Sequence, residues 1–197
     1  MHEPPQRRPV EPWREGPETE RHVTPVFRVA SFEAWSPRAP ERAVPRSRIR
    51  CPDWINVVAL TPGREVILVE QHRHGIAEIT LEIPGGMVEP GEAPEAACAR
   101  ELLEETGHAG GEPRLLGCLT PNPALQDNRL WCYLVDDARE VSAATGNGEE
   151  DIGVHLVPLR DVPQLVRSGV LHHALMIAAF HLLMLHADAA PHPGAAP

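Results

Sequence analysis

Three glutamates recur at the spacing of a single helix face, and their chemistry is the clearest in the sequence. Glu101, Glu104 and Glu105 are related by i, i+3 and i+4, which brings their carboxylates within reach of one another on a helix. Like charges at these spacings destabilise a bare helix, so the cluster indicates either a bound cation or a solvated surface. Carboxylate oxygens are hard ligands of the kind that Mg²⁺ prefers. The cluster predicts a divalent-metal site, with a solvated helix face as the alternative.

The helix that carries these acids has clear ends. It is predicted over 94–106, because a proline suits its first turn, good helix formers follow, and Gly107 can adopt the left-handed conformation that ends many helices. Ala96, Ala99 and Leu103 lie on another side of this helix and are expected to contact the core.

A strand predicted over 78–83 precedes the helix and ends at Pro84-Gly85-Gly86. Glycine has no Cβ, so such a turn permits positive φ and a close approach of the backbone to a ligand. We expect something compact to lie against this turn, near the acidic helix.

The spacing of these residues resembles the signature of the Nudix hydrolases, G-x5-E-x7-R-E-U-x-E-E-x-G-U, where U is aliphatic. The stretch from Gly86 to His108 reads G-MVEPG-E-APEAACA-RE-L-L-EE-T-G-H and matches all seven fixed letters. At average usages of roughly 7% per letter, chance gives such a match about 10⁻⁶ times per chain of this size. His108 departs from the aliphatic last position, a packing site just past the helix. The resemblance implies that Glu92 braces the loop rather than binding metal.

The resemblance also implies the roles of the other signature residues. It assigns Glu101, Glu104 and Glu105, with the backbone carbonyl of Gly85, to a site for two or three Mg²⁺ ions, with Mn²⁺ as an alternative. Arg100 would orient a glutamate of the signature and belong to the catalytic set with Glu101 and Glu105. Phosphoanhydride hydrolysis requires that charge on two phosphates be neutralised while a water is aimed in line, and carboxylate-bound Mg²⁺ can do both.

Over roughly 23–185 the chain is most similar to the ADP-ribose pyrophosphatases. The runs VEQHR at 69–73 and LEIPGGMVE at 81–89 are similar to the strand pair that leads into the signature in that branch. Pro123 stands about 15 residues past the signature, as a proline does there. The resemblance implies hydrolysis of ADP-ribose, or of a related nucleoside diphosphate sugar, to a nucleoside monophosphate and a sugar phosphate.

An acidic loop at 146–151 is similar to the loop that supplies a catalytic glutamate in the same branch. In some members that acid stands two positions before the one matching Glu150, where this chain has Gly148. Glu149 is adjacent, so both Glu149 and Glu150 are candidate catalytic bases. A loop that is merely solvated is the alternative.

Four residues outside the signature are candidates for substrate binding. Arg73 would bind a phosphate in the resembling enzymes, although an exposed arginine at a strand end needs no function. Trp54 could stack on adenine or fill the core. Arg129 could reach the terminal ribose or a phosphate, or simply be solvated. Pro123 is included because the branch carries a proline there.

Composition limits the partners. The chain has 28 Asp+Glu against 18 Lys+Arg, a formal net charge of −10, which disfavours nucleic acid or an anionic membrane as a partner. Every Lys+Arg residue is an arginine, a side chain suited to bidentate phosphate contact. The start of the chain lacks the apolar run of a secretory signal, and histidines interrupt the apolar segment 170–187, which favours a buried helix. A cytoplasmic protein is therefore expected.

The remaining pattern predicts an α+β fold, a Nudix α/β/α sandwich with a mixed sheet and an N-terminal β extension. A hairpin is predicted from 54–60 and 65–70 around a Pro-Gly turn, followed later by further strands and helices. Those later elements are strands at 115–119, 129–135 and 152–157, and helices at 161–167 and 171–185. The predicted organisation is a disordered lead-in at 1–22, an N-terminal β segment at 23–51, the catalytic domain at 52–187 and a disordered tail at 188–197.

The resemblance further implies a homodimer, in which the segment 23–51 packs across a two-fold axis and helps to build the partner's substrate pocket. Two other functions stay open: a pyrophosphatase that removes modified (d)NTPs, and a module that senses ADP-ribose or NAD without turnover. The identity of the nucleoside diphosphate derivative is the least determined part of the prediction.

Overall fold

The computed structural model describes residues 10–145 and 151–189. They form two compact units, one containing 10–51 and 122–127 and the other containing the remaining described residues. The elements are β1 (Arg14–Glu15), β2 (Thr19–Val23), β3 (Arg28–Ser36), β4 (Ala39–Arg50), β5 (Trp54–Ala59), β6 (Glu65–Arg73), β7 (Glu78–Glu82), β8 (Gly85–Met87), α1 (Pro94–Thr106), β9 (His108–Ala109), β10 (Arg114–Leu119), β11 (Leu130–Val135), β12 (Arg139–Glu140), β13 (Gly153–Pro158), a 3₁₀ turn (Leu159–Asp161), α2 (Val162–Arg167) and α3 (Ala174–Ala189).

The N-terminal unit is an antiparallel sheet built on β3. The long β4 pairs along β3, in register from Arg28 opposite Arg50. Both β1 and β2 also pair with β3. The prediction that the lead-in is disordered through residue 22 is therefore wrong for the segment that contains these strands.

Ion pairs join the lead-in to β4, although the lead-in has few aliphatic residues. The carboxylate of Glu18 lies 2.7 Å from the guanidinium of Arg50, and that of Glu15 lies 2.9 Å from Arg48. Disorder is expected of a segment with few aliphatic residues when only apolar burial is considered. That expectation does not take account of these ion pairs, whose partners lie some thirty residues apart in the sequence.

The second unit, which holds the other described residues, contains two main sheets. The first has the strand order β10-β11-β5-β8, in which β11 and β5 are parallel and the other pairs are antiparallel. The second has the order β13-β6-β7 and is antiparallel throughout. The short strands β9 and β12 pair with each other. The predicted mixed sheet is confirmed.

The predicted hairpin of β5 and β6 is wrong in its pairing. The turn between them forms, with the Thr61 N–H donating to the Glu65 carbonyl at 2.9 Å, but one bridge, Leu60 to Val66, joins the two strands. Each strand then pairs with other partners in its own sheet. Both strands are apolar on both faces, a pattern typical of strands in the interior of a sheet, so each needs two neighbours.

Two helical layers cover the sheets of the second unit. Ile55 and Val57 of β5 pack in a cluster with Ala97 and Leu102 of α1. Alternate residues of the same strand point the other way, and Val58 belongs to a second cluster that includes residues of α2 and α3. Because alternate strand residues face opposite sides, the sheets lie between α1 and the C-terminal helices, which confirms the predicted α/β/α sandwich.

The acidic helix α1 has the predicted bounds but a different buried face. Gly107 ends it with φ of 70° and donates its N–H to Leu103 at 2.8 Å. The prediction that Ala96, Ala99 and Leu103 face the core is wrong, since all three are exposed. The buried residues are Ala97, Cys98, Leu102, Glu105 and Thr106. The prediction assumed that the acids point away from the core, whereas the acid face borders it.

The last helix begins three residues later than predicted and extends past the predicted start of the tail. His173 precedes α3, and its Nδ1 accepts the Leu175 N–H at 3.2 Å, which satisfies one of the unpaired donors at a helix start. Among the described residues, the helices are too short or too polar to cross a membrane.

Candidate active site

The glycine turn and the acidic helix meet through Glu105. Its carboxylate is 7% exposed and accepts the Gly85 N–H at 3.0 Å. A Cβ on Gly85 would lie 2.5 Å from the Ile55 carbonyl oxygen, and a Cβ on Gly86 would collide with the Glu101 carboxylate. The two glycines thus allow the turn to lie directly against the glutamates.

Arg100 lies at the centre of the glutamates. Its Nε and Nη2 donate to the two oxygens of Glu92, each at 2.9 Å. Its Nη1 donates to Glu101 at 2.9 Å and to Glu104 at 3.3 Å, and Nη2 also reaches the Met87 carbonyl. These contacts are the ones that an orienting arginine and a loop-bracing Glu92 require.

The pKa values of Arg100 and Glu92 are shifted apart, so both groups stay ionised across the neutral range. Hydrogen bonds to Glu92 and then Glu101 raise the pKa of Arg100 above its ordinary value, although partial burial opposes them. The hydrogen bond from Arg100 in turn lowers the pKa of Glu92. The guanidinium therefore remains a fixed positive charge among the carboxylates.

The donor set fits a divalent cation by charge and by atom type. Glu92, Glu101 and Glu104 contact the single guanidinium of Arg100, and Glu105 adds a fourth carboxylate on the same helix. This leaves an excess of negative charge and of hard oxygen ligands. Within the described parts of the chain, however, no three potential ligands converge on one metal position. The contacts explain this, because Nη1 of Arg100 engages Glu101 and Glu104 while the Gly85 N–H engages Glu105.

The chain that leads into the acidic loop is attached to the C-terminal end of α1. The Thr145 N–H donates to the Glu104 carbonyl at 3.1 Å, and the Gly107 carbonyl accepts two further N–H groups of the segment 141–142. The predicted bases Glu149 and Glu150 lie outside the described residues. The segment just before them, 141–145, is hydrogen-bonded to the C-terminal end of the helix that carries the candidate metal ligands.

Arg73 contacts a carboxylate that the sequence interpretation overlooked. Its Nε and Nη2 donate to the two oxygens of Glu82 at 2.8 and 2.7 Å, and Thr80 Oγ1 donates to Glu82 at 2.7 Å. The Glu82 side chain is completely buried. Burial alone would raise its pKa, but the hydrogen bonds from Arg73 and Thr80 outweigh burial and hold the pKa below its ordinary value. An acid inside the apolar run LEIP was the available sequence signal.

The other substrate-binding candidates are dispersed. Trp54 is partly buried and packs against the core cluster that includes α3, which is the core alternative left open by the sequence. Arg129 is exposed, and its backbone N–H donates to Asp53 at 2.8 Å. Pro123 belongs to the N-terminal unit, where it lines a cavity of about 230 Å³.

His108, the departure from the Nudix signature, occupies a buried position as expected. It is 7% exposed, and its Nδ1 lies 2.8 Å from the Thr106 carbonyl. A polar ring is tolerated here because the local backbone satisfies it.

Comparison with known families identifies the class of protein. Residues 53–180 match the NUDIX domain family. The chain belongs to this family and is a Nudix hydrolase, which confirms the prediction made from the signature and agrees with the arrangement of the glycine turn and α1.

Relatives place the chain near a particular branch of the family. It is 28% identical over 145 residues to the ADP-ribose pyrophosphatase of Bacillus subtilis, covering 73% of this chain and 78% of that protein. It is 34% identical over 135 residues to the ADP-sugar pyrophosphatase of Mus musculus, covering 64% and 62%. The methanol dehydrogenase activator of Bacillus methanolicus is 28% identical over 142 residues, covering 71% and 76%.

A solved structure shows the same fold. The crystal structure of an ADP compounds hydrolase superposes with a TM-score of 0.78 at 19% identity, covering 93% of this chain and 98% of that one. The predicted resemblance to the ADP-ribose pyrophosphatase branch is confirmed at the level of family and fold.

Proposed function

We propose that this protein hydrolyses the pyrophosphate bond of ADP-ribose, or of a related nucleoside diphosphate sugar, to AMP or another nucleoside monophosphate and a sugar phosphate. The observation that carries the proposal is the contact between the glutamates of α1 and the turn at Gly85 and Gly86. The relatives named ADP-ribose pyrophosphatase and ADP-sugar pyrophosphatase support the substrate class.

The metal in this proposal is Mg²⁺, with Mn²⁺ as an alternative, bound by Glu101, Glu104, Glu105 and the Gly85 carbonyl. Bound there, two or three such ions would neutralise charge on the diphosphate and lower the pKa of a bound water. Arg100 holds Glu101 and Glu104 by Nη1, which limits the orientations available to both carboxylates.

The remaining steps belong to residues outside the helix. Glu149 or Glu150 is proposed to accept the proton of the attacking water. Arg73 is proposed to contact a phosphate. The part of Trp54 that is not buried in the core is proposed to stack on adenine. Arg129 is proposed to contact the terminal ribose or a phosphate.

Assembly and location belong to the same proposal. The protein is proposed to act in the cytoplasm as a homodimer whose N-terminal β segment, residues 23–51, contributes to the partner's pocket, without nucleic-acid or membrane partners. Pro123 is proposed to contact the substrate. Light scattering at micromolar concentration tests the dimer, and a fully active monomer would contradict it.

The test of the substrate is a comparison of kcat/KM at one Mg²⁺ concentration. The substrates are ADP-ribose, other ADP-sugars and GDP-sugars, NADH, diadenosine polyphosphates and 8-oxo-dGTP, with products identified by chromatography. We expect ADP-ribose to lie within about tenfold of the best substrate, a difference of about 1.4 kcal/mol in transition-state binding. A clear preference for the (d)NTP with release of pyrophosphate would favour the first alternative. Tight ADP-ribose binding without AMP formation would favour the sensor.

A further inference from the structure

A fully buried carboxylate stands close in sequence to the glycine turn, at the end of β7. Glu82 has 0% exposure and accepts three hydrogen bonds, two from Arg73 and one from Thr80. Burying a carboxylate is costly unless it is paired and hydrogen-bonded. An apolar side chain would fill this core position without that cost, so the buried charge indicates a role beyond packing.

Strand alternation gives the face of β6 from which Arg73 projects. Ile67 of β6 packs in the cluster with α1, and alternate residues of a strand share a face, so Arg73 is on that face. Val69, also on that face, stands directly opposite Glu82, and Gln71 stands opposite Thr80. By this alternation the Arg73 side chain starts from the same face of β6 as Ile67, and the Glu82 carboxylate that it meets also interacts electrostatically with His173, which precedes α3.

The hydrogen bonds of Arg73 show which way its side chain extends along β7. Its Cα pairs with Glu78, four positions before Glu82 on β7. To meet Glu82, the side chain extends along the ladder, towards the end of β7 that leads into Pro84 and Gly85. A guanidinium on a flexible stem would sample many rotamers there, and bidentate contact with a buried carboxylate selects one.

We propose that Glu82 is a positioning residue, which holds the Arg73 guanidinium ready to receive a phosphate of the diphosphate substrate. This inference rests on the proposed function, which assigns Arg73 to a phosphate. Glu82 acts through Arg73, and Thr80 acts through Glu82. The competing account is an ion pair that stabilises the fold and has no influence on substrate.

A double-mutant cycle separates the two accounts. Glu82→Gln keeps the size of the side chain but removes its charge and one of its acceptors. We expect Arg73→Ala to lower kcat/KM by about a hundredfold and Glu82→Gln by about tenfold, mainly through KM. In the Arg73→Ala background, Glu82→Gln should cost less than about twofold, because its effect runs through the missing arginine. Equal losses in both backgrounds, or no loss from Glu82→Gln alone, would overturn the proposal.

A binding measurement gives a readout without turnover. Calorimetry with the α,β-methylene analogue of ADP-ribose in Mg²⁺ should show about tenfold weaker binding for Glu82→Gln than for the wild type. An unchanged Kd, with a lowered melting temperature, is the result that a purely structural ion pair gives. Glu78→Gln is the matched control, because Glu78 is an exposed glutamate of the same strand and stands opposite Arg73.

A second variant and a second substrate are available if Glu82→Gln does not fold or ADP-ribose is a poor substrate. If Glu82→Gln does not fold, Thr80→Val replaces it in the cycle, since it removes one donor to Glu82 and should lower kcat/KM by about threefold through the same route. If the wild type prefers a substrate other than ADP-ribose, the substrate assignment is wrong. The double-mutant cycle is then run with the preferred substrate, so the positioning role of Glu82 is still tested. An Arg73→Ala variant with wild-type kinetics would overturn the positioning role outright.

Discussion

Replacing Glu105 by glutamine tests whether the carboxylates of α1 act as metal ligands. The side chain is 7% exposed, and its carboxylate accepts the Gly85 N–H at 3.0 Å. Glutamine keeps the volume and one oxygen acceptor for that N–H but removes the charge. The turn at Gly85 is therefore expected to persist in Glu105→Gln, so the change is an electrostatic one.

The expected magnitude follows from the charges. Two unit charges about 4 Å apart interact by about 4 kcal/mol at an effective dielectric constant near 20. A bound cation loses an interaction of that order, and the amide oxygen restores part of it. We expect a loss of at least about 2.7 kcal/mol of transition-state stabilisation, which is about a hundredfold in kcat/KM. In metal-free protein the substitution relieves repulsion with Glu101 and Glu104, so the melting temperature should be unchanged or higher.

The assay is AMP release from ADP-ribose over a Mg²⁺ titration, with melting in EDTA measured in parallel. Glu112→Gln is the control, because Glu112 is an exposed glutamate outside the helix. It should leave both quantities unchanged. Near-normal activity of Glu105→Gln at ordinary Mg²⁺ would remove Glu105 from the mechanism, and a large fall in melting temperature would show that its role is structural.

Two substitutions and one labelling experiment test the site and the fold. Gly86→Ala should lower kcat/KM by at least about tenfold, because the new Cβ collides with the Glu101 carboxylate; wild-type activity would show that the turn moves away. Glu18→Gln should lower the melting temperature at neutral pH, since hydrogen bonds from Arg50 first and then Arg48 lower the pKa of Glu18 below 4.5. Stability from such a group is present above its unfolded pKa and lost as pH falls through the folded value, so the gap to wild type should close in acid. Cys118 is exposed and should react with a thiol reagent in the native protein, which mass mapping checks.

The acidic helix shows how much the sequence could predict. Its bounds, the left-handed Gly107 and the glycine turn follow from local chemistry, because caps, helix formers and missing Cβ atoms act within a few residues. Its buried face did not follow. Ala97 and Leu102 are buried while Ala96 and Leu103 are exposed, and choosing between two adjacent stripes requires knowledge of which side meets the sheet.

The pairing of strands was harder to predict for the same reason. A turn between 60 and 65 is local and was predicted, but the partners of β5 lie far away in the sequence, at 85–87 and 130–135. The strands of the lead-in likewise depend on distant arginines of β4. Glu82 was missed because the sequence does not show that Arg73 lies beside it. Without that partner, a single acid in an apolar strand gives no indication of its role.

The two arginines assigned to the chemistry are both already engaged by glutamates, Arg100 by Glu92 and Arg73 by Glu82. Their charge is thereby offset, while the carboxylates of α1 add further negative charge. A diphosphate approaching this surface without metal meets repulsion rather than attraction. We therefore expect the α,β-methylene analogue of ADP-ribose to bind at least about tenfold more weakly in EDTA than in Mg²⁺, measured by calorimetry at one ionic strength. Equal Kd values in the two buffers would mean that arginines alone bind the phosphates and that the glutamates serve another purpose.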